Sequence, residues 1–260
     1  MVEILHTSSL VIDDIADQGQ TRRGGKCAHL LHGAPACVNS ANYCYFLALQ
    51  LFTQKVKNFT TTAQQLKIHQ VYVETLLKGH VGMGADLNYQ QIALTSKNVN
   101  FDNYERILML KTSAVFHLCY RLLVVMLGAK LDARVEKIIG LFALQFQIIN
   151  DLVSCEESSP KFGDDFVEQK ISYPVIYFLK NNSQEKTKLE NFEKVFRKAK
   201  KEKNDFLEIL GFLREGVGLC LGRVESIDRE IAELIGDCQG LELLGDFIKF
   251  CKEEYFKIKT

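Results

Sequence analysis

Proline is scarce in this 260-residue sequence. Only Pro35, Pro160 and Pro174 occur, which leaves long stretches without the residue that most strongly breaks a helix. Strand signals are equally thin, with no sustained alternation of apolar and polar residues bounded by paired turns. Net charge is missing as well: 32 basic and 32 acidic side chains cancel, and without a basic excess no nucleic acid is expected as a partner. The eight cysteines, at 27, 37, 44, 119, 155, 220, 238 and 251, include no C-x-x-C pair, so a zinc site or a thioredoxin-like centre lacks its spacing. Cys44 and Cys119 fall in apolar helical stretches and read as buried thiols in a reducing compartment. The longest apolar run, Leu122 to Leu127, is far short of the roughly 20 residues of a membrane span, so no transmembrane segment is expected. The start, Met1-Val2-Glu3-Ile4-Leu5-His6, has no basic region leading into an apolar run. A signal peptide is therefore not expected, and a cytoplasmic location is.

What the chain does have is apolar surface to bury and a helical rhythm. Hydrophobic residues make up 47% and charged residues 25% of the sequence, a balance that supplies a sizeable core. Ala41, Tyr45, Leu49 and Phe52 form one stripe at helical spacing; Ile107, Leu110, Ala114, Leu118 and Leu122 form another. The pattern predicts an all-α fold in one domain over 1–260, with helices near 2–17, 35–57, 61–89, 101–128, 131–156, 170–181, 186–214 and 217–257, the last broken near Gly236 or Gly240. Loops are expected at Gln18–Gly33, Thr95–Asn100 and Ser158–Asp164, and the basic run Lys198 to Lys203 reads as a solvated helix face.

The residues that carry chemistry begin at the end of the first helix. Asp13-Asp14-Ile15-Ala16-Asp17 follows the apolar run Leu5 to Ile12. At about 100° per residue, Asp13 and Asp17 share one helix face and Asp14 sits beside them. Carboxylates this close repel one another unless a cation lies between them. A solvated helix end is the plain alternative, but acids there oppose the negative end of the helix dipole. Hard oxygen donors in small number suit Mg²⁺, which keeps waters and completes its shell with a substrate's phosphates. Arg22-Arg23-Gly24-Gly25 follows; guanidinium forks hold phosphate oxygens bidentately, and glycines let a backbone come close.

Together these segments resemble the trans-isoprenyl diphosphate synthase (polyprenyl synthetase) family, in particular its eukaryotic geranylgeranyl diphosphate synthases. Leu5 through Asp17, with Arg22-Arg23-Gly24, is similar to the family's first aspartate-rich motif. Asn39-Ser40-Ala41-Asn42-Tyr43-Cys44-Tyr45-Phe46-Leu47 resembles the eukaryotic members, and His80-Val81-Gly82-Met83-Gly84-Ala85-Asp86 resembles their H-x-G-x-G-x-D segment. Lys111-Thr112 is similar to the pair that binds the allylic diphosphate, and Phe146-Gln147-Ile148-Ile149-Asn150-Asp151 falls on the second aspartate-rich motif. Asp165 to Pro174 is similar to the D-x-x-E-G-K-x-x-x-P segment beyond it. The resemblance implies an isoprenoid synthase helical bundle with both aspartate clusters at the mouth of a deep apolar pocket, and a helix-packed homodimer or higher oligomer. It implies roughly three Mg²⁺ ions between Asp13, Asp14, Asp17 and Asp151 and the diphosphate of an allylic substrate. Arg22, Arg23, Lys111, Thr112, Gln147 and Lys170 are then the groups on the substrate's phosphate side. Ser8 and Ser9, about a turn before Asp13, leave room for a long prenyl chain where bulkier residues would block it.

Three departures keep other readings open. Asn150 stands where the family has the first of two adjacent aspartates, so this site loses a charge. The family's G-K-x-x-R segment, which binds isopentenyl diphosphate, has no counterpart, and Met83 replaces a glutamine. Asn150, Ser154 and Glu157, at i, i+4 and i+7, share a helical face and approximate the N-D-x-x-S-x-x-x-E metal pattern of terpene synthases. The expected activity is geranylgeranyl diphosphate synthesis from farnesyl and isopentenyl diphosphates. The alternatives are a terpene-forming lyase that needs no isopentenyl diphosphate, and a weakly active partner subunit.

Overall fold

The helical rhythm is realised almost throughout the computed structural model, which describes residues 1–92, 101–159, 161–198, 202–236 and 240–256, with side chains except at 90–92, 203 and 252–256. In chain order come α1 (Val2–Ala16), a hairpin of β1 (Thr21–Arg22) and β2 (Gly25–Lys26), α2 (Ala28–His32), α3 (Ala34–Val56) and a 3-10 turn (Lys57–Phe59). Then follow α4 (Thr62–Ile92), α5 (Phe101–Leu127), α6 (Ala133–Val153), α7 (Asp164–Val167), α8 (Tyr173–Asn181), α9 (Lys186–Phe196), α10 (Lys203–Ile235) and α11 (Glu242–Phe256). The two described prolines sit where the missing N–H does no harm, in the first turns of α3 and α8. Asp132 caps α6 by accepting from the Arg134 amide at 2.8 Å, and Glu202 with Asp205 forms a capping box at the start of α10.

Two apolar cores build the bundle, and α5 walls both. Leu5 of α1, Ala48 of α3, Ile68 and Tyr72 of α4, and Leu118 and Leu122 of α5 form one. Tyr104 and Leu108 of α5 join Leu144 and Ile148 of α6, Val175 of α8, Phe192 of α9 and Leu213 of α10 in the other. By length and composition alone α5 meets the requirement for a membrane span. Single uninterrupted runs conceal this, because Lys111 and Arg121 break the apolar sequence. Within the bundle both charges are paired, Lys111 with Asp13 and Asp86 and Arg121 with Glu136.

Several boundaries differ from the sequence expectation, for identifiable reasons. The loop over Gln18–Gly33 contains the hairpin, whose turn places Arg23 (φ 51°) and Gly24 (φ 80°) consecutively in the left-handed region, a backbone suited to a two-residue hairpin. No break occurs between 214 and 217: α9 stops at Phe196 and α10 runs unbroken to Ile235. Gly216 is there for contact, since a Cβ on it would lie 2.6 Å from the Pro174 carbonyl oxygen of α8. The expected break falls at Gly236 (φ 45°). Lys198 lies beyond α9 and pairs with Asp205 at 2.9 Å instead of continuing a helix face. Thr95–Asn100, Pro160, residues 199–201 and Cys238 lie outside the described residues. The seven described cysteines are free.

The closest approach of α4 to α5 depends on a second glycine. A Cβ on Gly82 would stand 2.5 Å from the Lys111 amide nitrogen, whereas one on Gly84 would meet nothing within 4 Å. Gly82→Ala is expected to destabilise by about 1–3 kcal/mol through overpacking against backbone. Gly84→Ala is expected to be neutral or to stabilise by about 0.5–1 kcal/mol. Urea midpoints of the two variants check this, and equal midpoints would refute the contact.

Candidate active site

The two cores meet along the middle of α5, between Leu108 and Leu118, and the charged residues collect at that seam. Lys111 points its ammonium at two helices at once, with Nζ 2.9 Å from Asp13 Oδ1 of α1 and 2.8 Å from Asp86 Oδ2 of α4. Asp86 accepts a hydrogen bond, but Asp13 Oδ1 is buried and holds its partner outside hydrogen-bond geometry. Burial pushes the Asp13 carboxyl up, and Lys111, Lys170 and Arg22 more than offset it, leaving it below the usual carboxylate range. Burial likewise pulls Lys111 down, and Asp13 and Asp86 more than restore it. Asp17 is raised by burial and by the neighbouring Asp13; its charge is the least compensated on this wall.

Asp14 leaves that face, whereas Arg22 spans both acids, with Nη2 3.7 Å from Asp13 Oδ2. Asp14 is buried, 100° around the helix from Asp13, and accepts from Arg22 Nε at 2.8 Å and from Arg22 Nη2. This pair ties the hairpin to α1, so Arg22 reaches Asp14 instead of open solvent. Arg23, at the exposed hairpin turn, lies 3.4 Å from Glu3.

The opposite wall comes from α6 and the segment leading into α8. Asp151 is 1% exposed, and its oxygens accept from the Tyr173 amide at 2.8 Å, Gln147 Nε2 at 2.9 Å and the Tyr104 hydroxyl at 3.4 Å. Gln147 Oε1 in turn accepts from Thr112 at 3.4 Å, so α5 and α6 are linked beside Lys111. Burial raises the Asp151 carboxyl, against the pull of Lys170 and the two nitrogen donors. Lys170 is half-buried; burial lowers its pKa, yet Asp165, Asp151, Asp17 and Asp13 outweigh it and hold the ammonium well above its ordinary value. One cation thus faces carboxylates from both walls. Behind it, Glu105 accepts from the Tyr173 hydroxyl and from Arg223 Nε (3.0 Å) and Nη2 (3.1 Å), which fastens α10 to α5 and α8.

Two expectations are corrected here. Glu157 does not share a helical face with Asn150 and Ser154, because α6 ends at Val153 and Glu157 is exposed in the turn beyond it. Ser154 caps that end and hydrogen-bonds Asp165. Nor do Ser8 and Ser9 line the cavity found along α4 and α5. Ser8 is buried with its hydroxyl on the Ile4 carbonyl at 2.6 Å, and Ser9 bonds the His6 carbonyl at 2.7 Å. That cavity, of about 500 Å³, is lined by residues such as Lys78, Arg106, Met109, His117 and Arg121.

Asp86, Asp165 and Glu168 join the cluster without having been assigned a role from sequence. Asp86 closes the glycine-spaced segment quoted above, and the glycines that bring α4 against α5 were the available signal for its contact with Lys111. Asp165 and Glu168 both precede Lys170 in chain order, and nothing in their spacing alone shows that Asp165 turns inward.

A model of the polyprenyl synthetase family matches residues 1–210. The chain belongs to the polyprenyl synthetase family. A geranylgeranyl pyrophosphate synthase of Penicillium crustosum is 27% identical over 258 residues, covering 96% of this chain and 72% of the relative. One of Neocamarosporium betae is 34% identical over 191 residues, 71% of this chain and 51% of that protein. A crystal structure of a geranylgeranyl pyrophosphate synthase shares the fold, with a TM-score of 0.77 at 20% identity over 95% of this chain and 77% of the other. This polyprenyl synthetase family chain therefore has the all-helical isoprenoid synthase fold.

The family is generally Mg²⁺-dependent, and the α1 wall fits such an ion. Asp13 presents a buried oxygen whose near cation, Lys111 at 2.9 Å, lies outside hydrogen-bond geometry, and Asp17 a carboxylate raised by burial and by its neighbour's charge. Among the described residues no three His, Cys, Asp or Glu side chains converge closely enough to hold an ion alone. Water and phosphate oxygens would have to complete its shell, as Mg²⁺ favours.

Glu168 supplies a test of this electrostatic picture. Burial raises its carboxyl from 4.5 to about 7, with Asp17, Asp164 and Asp13 adding and Lys170 opposing. A carboxyl raised on folding binds its proton more tightly in the native state, so its contribution is present below the unfolded pKa and lost as pH rises through about 7. Melting temperatures of Glu168→Gln and the natural protein, measured without divalent ions, are expected to differ little in acid and to separate in favour of the variant above neutrality. A pH-independent difference would contradict it.

Proposed function

We propose that this chain is a Mg²⁺-dependent prenyltransferase of the geranylgeranyl diphosphate synthase type, joining farnesyl to isopentenyl diphosphate. The reading rests on one observation above all: Lys111 is held between Asp13 and Asp86 at the seam of the two cores, with Lys170 facing carboxylates of both walls. Both ammonium groups stay charged and are fixed in place before any ligand arrives, which is the condition for stabilising a departing diphosphate electrostatically. The allylic carbon–oxygen bond breaks and its electron pair leaves with the diphosphate. The double bond of isopentenyl diphosphate then attacks the allylic cation, and the released diphosphate takes up the proton that the adduct loses. Magnesium, when bound, adds positive charge to the leaving group. The relatives' names support this reaction class.

The lyase alternative drew on Asn150, Ser154 and Glu157, and the fold does not assemble that set. Prenyl transfer is the better supported reading. We further infer a homodimer, in a reducing, cytoplasmic setting. Leu66, Val73, Leu77 and Val81 lie at helical spacing on α4 and are exposed, and Phe46 of α3 is 77% exposed. Exposed apolar side chains on one helix face favour a self-complementary interface.

Purified protein given Mg²⁺ and farnesyl diphosphate is expected to yield a longer prenyl diphosphate only when isopentenyl diphosphate is added. A hydrocarbon or alcohol formed without it would overturn the reading in favour of a lyase, and no turnover under either condition would favour a partner subunit. Asp13→Ala is expected to lower turnover at least about 100-fold. Ser9→Phe, one turn behind Asp13 on the same face, should shorten the longest product, and an unchanged product range would show that the chain passes elsewhere. Leu77→Glu is expected to halve the mass found by light scattering.

A further inference from the structure

We propose that the second aspartate-rich segment offers no carboxylate to metal in this chain, that Asp151 is a positioning residue, and that the site consequently binds one divalent ion fewer than it would with aspartate at position 150. This rests on the Mg²⁺ reading above and goes beyond it to the number of ions. Asp151 is the only acid of the motif pair that remains, and it is spent: it is 1% exposed and surrounded by the Tyr173 amide, Gln147 and the Tyr104 hydroxyl. Its contacts join α6 to α5 and to the start of α8, and Tyr173 is in turn held through Glu105 by Arg223. The remaining acids of this wall, Asp165 and Glu168, lie beyond the motif and beside Lys170. Ser154 bonds Asp165, and Glu157 lies past the helix end. Asn150 is half-buried and lies three residues on from Gln147, on the same side of α6. An amide oxygen there lacks the charge that draws a hard cation. Lys170 supplies positive charge to this wall from the protein itself, opposite Asp151 and Asp165.

Free Mn²⁺ measured by electron paramagnetic resonance, in the presence of inorganic pyrophosphate, counts the ions bound per chain. Asn150→Asp is expected to bind one more Mn²⁺ than the natural protein. Asp151→Asn is expected to bind as many ions as the natural protein while melting at a lower temperature. Equal counts for the natural protein and Asn150→Asp would overturn the proposal, as would loss of an ion in Asp151→Asn at an unchanged melting temperature. Absence of saturable Mn²⁺ binding in all three proteins would instead remove the metal reading on which the proposal stands, an outcome distinct from equal, non-zero counts. Should Asp151→Asn fail to fold, the comparison with Asn150→Asp decides alone.

Discussion

An ammonium group lies within hydrogen-bonding distance of carboxylates from two different helices, and the rest of the site is arranged around that contact. Lys111 reaches Asp13 at 2.9 Å and Asp86 at 2.8 Å only because Gly82 lets α4 press against the α5 backbone. Three charges drawn partly out of water are tolerable when they are paired, and unpairing one is severe. The trio still carries a negative excess, which Asp17 enlarges. Such a wall repels a bare diphosphate and welcomes one that arrives with cations, so metal and substrate are expected to bind as a unit.

The far wall solves a different problem. There the retained carboxylate of the motif has become a structural hub, taking donors from α5, α6 and the start of α8. Lys170 is the counter-charge of both walls, and its ammonium is felt by residues on either side of the cleft. Arginine and glutamate further back, Arg223 and Glu105, brace the tyrosine whose amide meets Asp151. The long α10, outside every motif read from the sequence, is thereby connected to the chemistry.

Much of the fold was legible because the relevant signals are local. Helical stripes, first-turn prolines and the acid cluster at the end of α1 are properties of a few neighbouring residues, and they led to α1, α3, α4 and α5 nearly in place. The failures share a cause. The break expected between 214 and 217 is absent, and Gly216 instead gives α8 the space it needs. Asp14 and Asp13 are equivalent in a list of letters, and only the fold shows that Asp14 turns to the hairpin's Arg22 while Asp13 also meets Lys111. Asn150 and Asp151 differ in the same way, since the direction of the core decides which one turns inward. Glu157 failed because the end of a helix, more than its middle, is set by what it packs against.

The dual role of α5 has a consequence for how this protein comes apart. A helix whose two ends are cemented into different apolar masses cannot shed one mass and keep the other intact: melting α1, α3 and α4 away strips Leu118 and Leu122, while losing α8 and α10 strips Tyr104 and Leu108. Either event also pulls apart the Lys111 contacts halfway along the rod. Heat, denaturant and proteases should therefore encounter a single cooperative unit, and occupancy of the cleft should register as resistance of the whole chain.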